Sequence, residues 1–246
     1  MKKLHLLFVI GIIISLNACK KTDVTVTPPP AAPYKCVSCK TTPDALAVNN
    51  SSSKGVYKGV MIGSTGTIMF DIANSGNTIT AVLIVDGVTI NLTSSVTWVA
   101  GQSYTAPFTG TLNGSPITIN FSVGLSGGTP TVTSSTIPGH PNASLDIIKE
   151  TSSNLIECFE GTYSTTLPET GVFNIILSRT LSSWTGVARK TGTTTSNTGN
   201  GSIANNKLID PSQNNQAIAV LNGDVLDGSF VDGNGKTVTL TGRRTL

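Results

Sequence analysis

Residues 79–87 read Ile-Thr-Ala-Val-Leu-Ile-Val-Asp-Gly, and this pattern sets the expected fold class. Apolar and polar side chains alternate in its first part, with the two-residue period of a half-buried β-strand. Asp86-Gly87 then supplies a pair of residues that accept the positive φ required by a tight type I′ hairpin. The stretch therefore predicts a strand that a short hairpin joins to an antiparallel neighbour.

The same arrangement recurs along the chain. Residues 117–121 and 237–240 alternate in the same way, and Asn113-Gly114 and Asp232-Gly233 are further hairpin pairs. Charged residues make up only 12% and aromatic residues 5%, whereas glycine supplies 25 of 246 positions. Such a composition suits short strands and tight turns, and it argues against a helical bundle or a nucleotide-binding α/β fold. We predict an all-β protein with an antiparallel meander.

Two parts of the chain resemble each other. Residues 57–72 and 159–177 both read aromatic, charged, glycine, a turn-rich gap, glycine and an apolar run, and 110–121 resembles 228–240. A tandem duplication into two related β-barrel or curved-sheet, sandwich-like halves is one interpretation, because internal similarity indicates repeated units. The alternative is that any Gly/Thr-rich meander resembles itself by composition. The predicted organisation is a signal peptide (1–18), a lipidated tether (19–54), a first β-domain (55–143), a connector (144–156) and a second β-domain (157–246). Leu145, Ile148 and Leu155 form a rough helical stripe, so the connector is expected to contain a helix over 144–155, with irregular structure as the alternative.

The N-terminus has the pattern of a secretory address. Met1-Lys2-Lys3 precedes the apolar run 6–16, which is shorter than the roughly 20 residues that span a bilayer. Leu16-Asn17-Ala18-Cys19 resembles a bacterial lipoprotein signal, which implies a palmitate-type lipid anchor on Cys19. The expected location is the cell envelope, at the outer membrane, facing the periplasm or the surface. The alternative is an ordinary secretory signal with no lipid on Cys19.

The predicted tether contains two cysteines. Its proline-rich run 27–33 favours an extended spacer, and Thr42, Pro43 and Asp44 are suited to begin a short helix over 42–47. Cys36 and Cys39 are expected to form a disulfide in an oxidising envelope. Lys40 excludes the haem-attachment motif, a zinc site lacks two nearby ligands, and a redox pair lacks its βαβ context. Cys158 is expected to be a buried small hydrophobe.

Charge argues against nucleic-acid binding. Sixteen basic and thirteen acidic residues give a formal +3, but from Lys54 onward ten basic residues face eleven acids, which gives −1. The basic excess therefore belongs to the signal and the tether, and we expect no nucleic-acid partner.

The second half resembles a known class of domain. Residues 160–163 (Glu-Gly-Thr-Tyr), 184–186 (Trp-Thr-Gly) and 226–230 (Leu-Asp-Gly-Ser-Phe) are similar to segments of glycine-punctuated, lipocalin-like barrels of bacterial envelope lipoproteins. The resemblance covers roughly 157–246, with a fainter likeness in 55–135. It implies an up-and-down barrel or curved sheet whose mouth accommodates a ligand.

Few residues offer catalytic chemistry. Beyond the signal peptide the one histidine is His140, between Gly139 and Pro141, and no nucleophile elbow accompanies it. Asp224, Asp227 and Asp232 could supply paired carboxylates, but each lies in or near a turn with glycine. We expect no metal and no cofactor. The predicted function is non-enzymatic, and the alternative is an envelope hydrolase that uses Asp/Glu acid–base chemistry.

Aromatic side chains are the weak candidates for a binding site. Trp98, Trp184 and Tyr163 could line a ligand-binding face, although cores take most aromatic residues. We therefore expect a membrane-anchored binding or structural module. Its partner is expected to be a small apolar ligand, a glycan or an envelope protein.

Overall fold

The computed structural model describes residues 33–246, which form two antiparallel eight-stranded β-sheets. The predicted signal peptide, Cys19 and most of the proline-rich run lie outside the described residues. The expectation of an all-β protein with two barrel-like halves is confirmed, since both sheets curl into barrels, one closed and one nearly closed.

The first barrel is the nearly closed one. Its strands are β1 (Gly55–Ile62), β2 (Gly66–Ile72), β3 (Ile79–Val85), β4 (Val88–Thr93), β5 (Tyr104–Leu112), β6 (Ser115–Val123), β7 (Thr131–Thr136) and β8 (Ser144–Lys149). Seven strands follow one another in a meander, and β8 returns to pair with β1, which leaves β7 and β8 as the two edges. At this seam the Ser135 hydroxyl donates to the carbonyl of Ala143 at 3.3 Å.

Side chains fill the interior of the first barrel. Phe70 stacks on Phe121 with ring centroids 4.5 Å apart, and Tyr57 and Phe108 meet the same rings edge-on. All four side chains are fully buried. The alternation predicted for 79–85 is confirmed: Ile79, Ala81, Leu83 and Val85 are buried and the residues between them are partly exposed.

The second barrel is closed. Its strands are β9 (Glu157–Thr165), β10 (Thr170–Ser178), β11 (Ser183–Lys190), β12 (Ser196–Ala204), β13 (Lys207–Asp210), β14 (Gln216–Asn222), β15 (Val225–Val231) and β16 (Thr237–Arg244). Each strand pairs with the next, and β16 pairs back onto β9, so that no edge is left unpaired. As predicted, hairpins rather than crossover helices connect the neighbours.

Two of the three predicted hairpin turns have the expected geometry. Asp86 and Gly87 have φ values of 49° and 77°, and Asn113 and Gly114 have 50° and 81°. The prediction for Asp232-Gly233 is wrong, because in that loop Gly235 has the positive φ of 77°. Asp232 instead shapes a longer loop: its Oδ1 accepts the amides of Asn234 at 2.9 Å and Lys236 at 2.8 Å.

Both predicted helices are absent from the described residues. In place of a helix over 144–155, residues Ser144–Lys149 form β8, with Ile147 buried in the first core. Pairing with β1 over all six residues gives this backbone hydrogen-bond partners on one side, which outweighs the helical spacing of its apolar residues. In place of a helix over 42–47, a single 3₁₀ turn occupies Ala47–Asn49, and Leu46 before it is extended.

The proposed repeat agrees with the structure in its first motif only. Residues 57–72 lie on β1 and β2, and 159–177 lie on β9 and β10, which are the equivalent first two strands of each barrel. The second motif does not correspond, because 110–121 lies on the fifth and sixth strands of its barrel whereas 228–240 lies on the seventh and eighth.

The barrels pack together through the outer face of β1. Val60 contacts a small apolar cluster with Ile156, Cys158 and Ile176. Beside this cluster, the Lys58 ammonium donates to Glu150 at 2.6 Å, and both side chains are almost completely buried. The Cys158 thiol points at the carbonyl of Gly59, at 3.7 Å, so that this residue is buried as predicted.

Residues 33–46, here called the strap, lie across both barrels. On the second barrel, the Tyr34 hydroxyl donates to the carbonyl of Arg244 and the Cys36 amide donates to Asp224, both at 2.9 Å. On the first barrel, the Asp44 amide donates to Glu150 at 2.6 Å. Cys36 and Cys39 form a disulfide within the strap. This part of the predicted tether is therefore docked on the folded body.

Candidate functional site

A cavity of about 270 Å³ lies inside one end of the second barrel, next to the β15–β16 loop. At the opposite end, the inward side chains fill the barrel. The filled end contains Phe159, Leu177, Leu208, Leu221 and Leu226, all buried. The open end is lined by apolar and aromatic side chains that include Phe173, Ile218, Phe230, Val238 and Leu240. A mainly apolar concavity of this kind is typical of small-molecule sites.

Trp184 on β11 forms one wall of the cavity. Its indole nitrogen donates to the carbonyl of Ile209 at 3.2 Å, which fixes the plane of the ring. The neighbouring strand β12 contributes glycine at 199 and 201. A β-carbon at Gly201 would stand 2.9 Å from the indole nitrogen, and one at Gly199 would stand 3.3 Å from Cη2. The two glycines therefore make room for the tryptophan ring inside the barrel.

Charged residues surround the mouth of the cavity. The Tyr163 hydroxyl donates to Glu169 at 3.2 Å, and Glu169 also faces Lys190 at 3.3 Å and Lys236 at 3.9 Å. The hydrogen bond from Lys190 is the main reason that the pKa of Glu169 is lowered. Desolvation, together with Glu169, raises the pKa of Tyr163 to about 12. The mouth therefore contains a neutral phenol and a carboxylate that cations already neutralise.

Asp210 brings a carboxylate into the wall of the cavity. It precedes the 3₁₀ turn Pro211–Gln213, and its Oδ1 caps that turn by accepting the Ser212 amide at 2.8 Å and hydroxyl at 2.7 Å. The same turn places Gln213 in the cavity lining, where the buried Oε1 of its amide has no hydrogen-bond partner among the described residues.

The structure brings two of the three predicted aromatic residues together. Tyr163 and Trp184 line the same cavity. Trp98 is elsewhere: it packs against the core of the first barrel, donates its indole N–H to Ser53 at 2.9 Å, and has the Lys54 ammonium 4.5 Å from its ring centroid. Trp98 therefore has a structural role at the first barrel.

The sequence reasoning missed several cavity residues. Phe173 could have been found, because the alternation of residues 171–177 places it on the inward face with Ile175 and Leu177. No sequence pattern placed Asp210 or Gln213 in the cavity, because their position depends on a 3₁₀ turn that interrupts the meander between β13 and β14.

The three aspartates considered for hydrolysis do not converge. Asp224 and Asp232 lie in the loops at opposite ends of β15, and Asp227 is exposed in the middle of that strand. Asp224 is committed to the Cys36 amide and to Arg244, whose Nη1 is 3.6 Å from its Oδ1. Asp232 uses Oδ1 to hold its own loop.

A second, more polar cleft of about 560 Å³ lies between the strap and the two barrels. Asp86 and Glu160 contribute carboxylates to it, and Arg243 is 3.9 Å from Glu160. Burial raises the pKa of Glu160, and Arg243 opposes that shift. Asp86 already contacts His140 at 3.1 Å and the hydroxyls of two turn residues. The Asp86 and Glu160 carboxylates of this cleft therefore already interact, in part or fully, with other protein groups.

Within residues 33–246, no three or more His, Cys, Asp and Glu side chains are grouped to hold a metal ion. No helix in the same range is long and apolar enough to cross a bilayer.

Compared with known protein families, curated proteins and solved structures, the chain matches none.

Proposed function

We propose that this protein is a lipid-anchored component of the bacterial cell envelope whose second barrel binds a small, largely apolar ligand. The cavity lined by Trp184, Phe173 and Phe230 is the observation that carries the proposal. The resemblance of 157–246 to lipocalin-like envelope domains supports it, since such barrels hold ligands at their open end.

The contrast between the two barrels supports assigning this role to the second one. The stacked rings of Phe70 and Phe121 lie at the centre of the first barrel, where buried side chains fill the interior. The second barrel is packed at one end only. The first barrel would then serve as a support, and its outer surface would be available to a glycan or protein partner.

We propose a binding protein rather than a hydrolase. Paired-carboxylate hydrolysis needs two acids about 5 to 9.5 Å apart across one cleft. Asp224 and Asp232 are separated by the length of β15, and both accept hydrogen bonds that hold loops or the strap. A role in shaping turns accounts for these residues.

Ligand binding can be tested with a neutral aromatic probe. Benzyl alcohol should bind the purified chain, as measured by ligand-observed NMR titration. Ala188→Leu adds bulk to a residue that lines the cavity, and it should weaken binding by about tenfold or more. Ala100→Leu makes the same change at an exposed loop position of the first barrel and should leave binding unchanged. Equal binding by the wild type and Ala188→Leu would show that the cavity is not the site.

The anchor is a separate part of the proposal. Leu16-Asn17-Ala18-Cys19 supports lipidation of Cys19, and acyl chains anchor by burying methylenes worth ~0.8 kcal/mol each. Cys19→Ala should move the protein from the membrane pellet to the soluble fraction on cell fractionation. If the variant stays in the pellet after a salt and carbonate wash, the lipoprotein assignment fails.

A further inference from the structure

The carboxylate of Asp210 is only half satisfied. The side chain is buried, with 7% of the residue exposed, and Oδ1 accepts both of the hydrogen bonds that cap the 3₁₀ turn. Among residues 33–246, both hydrogen bonds accepted by the Asp210 carboxylate go to Oδ1 and none goes to Oδ2. Asp210 lines the cavity, so Oδ2 can accept a hydrogen bond from a partner outside the chain.

Oδ2 of Asp210 and the edge of the Trp184 ring both lie beside Gly199 in the cavity wall. A β-carbon at Gly199 would be 3.3 Å from Cη2 of Trp184 and 3.7 Å from Oδ2 of Asp210. A carboxylate oxygen and an aromatic ring are therefore close neighbours in the cavity wall. Positively charged nitrogens are attracted both to carboxylates and to the faces of aromatic rings.

The remaining polar atoms of the cavity do not neutralise Asp210. Gln213 contributes a buried carbonyl oxygen without a protein donor, which is a second acceptor. Lys236, the one cation in the cavity lining, is 3.9 Å from Glu169 at the mouth. Asp232 accepts amides of its own loop. The charged residues of the lining are thus three carboxylates (Glu169, Asp210 and Asp232) and one lysine, and Asp210 is the carboxylate of the lining that neither pairs with a cation nor holds the β15–β16 loop.

We infer that the cavity selects small ligands that carry a positively charged nitrogen next to an apolar or aromatic body. This rests on the proposed function, and it names the ligand class. The ammonium sits between Oδ2 of Asp210 and the Trp184 ring, and the apolar body contacts Phe173 and Phe230. A volume of about 270 Å³ has room for a ligand with a single ring or a short chain.

Three probes of one shape test the charge preference. Benzylammonium, benzyl alcohol and benzoate share a ring and differ in charge, and each is titrated into the purified chain with calorimetry or ligand-observed NMR. Benzylammonium should bind at least about tenfold more tightly than the other two. Asp210→Asn keeps an Oδ1 acceptor for the cap, and it should reduce the preference to within about threefold while benzyl alcohol binds as before.

Asp227→Asn is the matched control, because it removes the same charge from an exposed residue on the outside of β15. It should retain the full preference for benzylammonium. Gly199→Ala, which narrows the gap between Trp184 and Asp210, should weaken benzylammonium more than benzyl alcohol even if Asp210→Asn does not fold.

The outcomes separate the two claims. Equal binding of the three probes, tighter binding of benzoate, or an unchanged preference in Asp210→Asn overturns the charge inference and leaves the binding function standing. If none of the three probes binds, both fall.

Discussion

The Lys58 side chain projects from the face of β1 opposite the first core, into the interface between the two barrels. There Glu150 accepts its ammonium at 2.6 Å, the Asp44 amide at 2.6 Å and the Ile156 amide at 3.1 Å. One carboxylate therefore holds a strand of the first barrel, the strap and the segment that leads into the second barrel. A buried ion pair adds little net stability when intact, but it is costly to break from one side.

Removing Glu150 should destabilise the whole protein. Glu150→Ala leaves the buried Lys58 with Asp44, 3.4 Å away and partly exposed, as its remaining counter-charge, and should lower the free energy of unfolding by about 3 kcal/mol, measured by urea denaturation. The double variant Lys58→Met/Glu150→Leu removes both charges and should recover a large part of that loss. Arg243→Ala, which removes an exposed guanidinium 3.9 Å from Glu160, should cost less than about 1 kcal/mol. A loss no larger for Glu150→Ala than for Arg243→Ala would contradict this account.

At the scale of single elements, β8 determines how far the first barrel closes. It pairs with β1 over six residues, opposite the pairing of β1 with β2. Gly59 on β1 permits this close approach, since a β-carbon there would overlap the carbonyl oxygen of Asp146 and stand 2.6 Å from Cδ1 of Ile147. The barrel therefore depends on a position without a side chain.

Gly59→Ala should destabilise the first barrel. The added methyl group would push β8 away from β1, and overpacking of this kind costs roughly 1–3 kcal/mol, which would appear as a lowered melting temperature. Gly76→Ala is the control, because a β-carbon there meets no atom within 4 Å. It should change stability by less than about 0.5 kcal/mol. If the two variants melt at the same temperature, Gly59 is not required for the closure.

Local sequence pattern predicts most strands and two of the hairpins, but it does not predict the pairing of β8 or the residues of the site. Alternation and Asn/Asp-Gly pairs located the hairpins after β3 and β5, because both signals act over a few residues. The segment 144–149 was misjudged, since its partner β1 lies about ninety residues away in the sequence. Asp210 was missed for a related reason: its role depends on Trp184 and Gly199, which other strands bring next to it.

At the scale of the whole molecule, two barrels could be predicted, but their packing could not. The strap joins parts of the chain that are remote in sequence, and the Cys36–Asp224 hydrogen bond spans 188 residues. Neither the amino-acid composition nor the periodicity of the apolar residues predicts a contact between residues so far apart in the sequence. The sequence pattern nevertheless placed Tyr163 and Trp184 among the candidates, and the closed barrel brings them into one cavity.

If the protein is held by the lipid proposed on Cys19, the route of the strap has a mechanical consequence. Tension that arrives at residue 33 reaches the second barrel first, through Tyr34 and Cys36. Only after those contacts yield does it load the first barrel, through Asp44 and the amide of Leu46 on Asn74. The second barrel, which holds the cavity, comes last in the chain, yet its contacts with the strap lie closest to residue 33. The first barrel therefore bears load only after those contacts break.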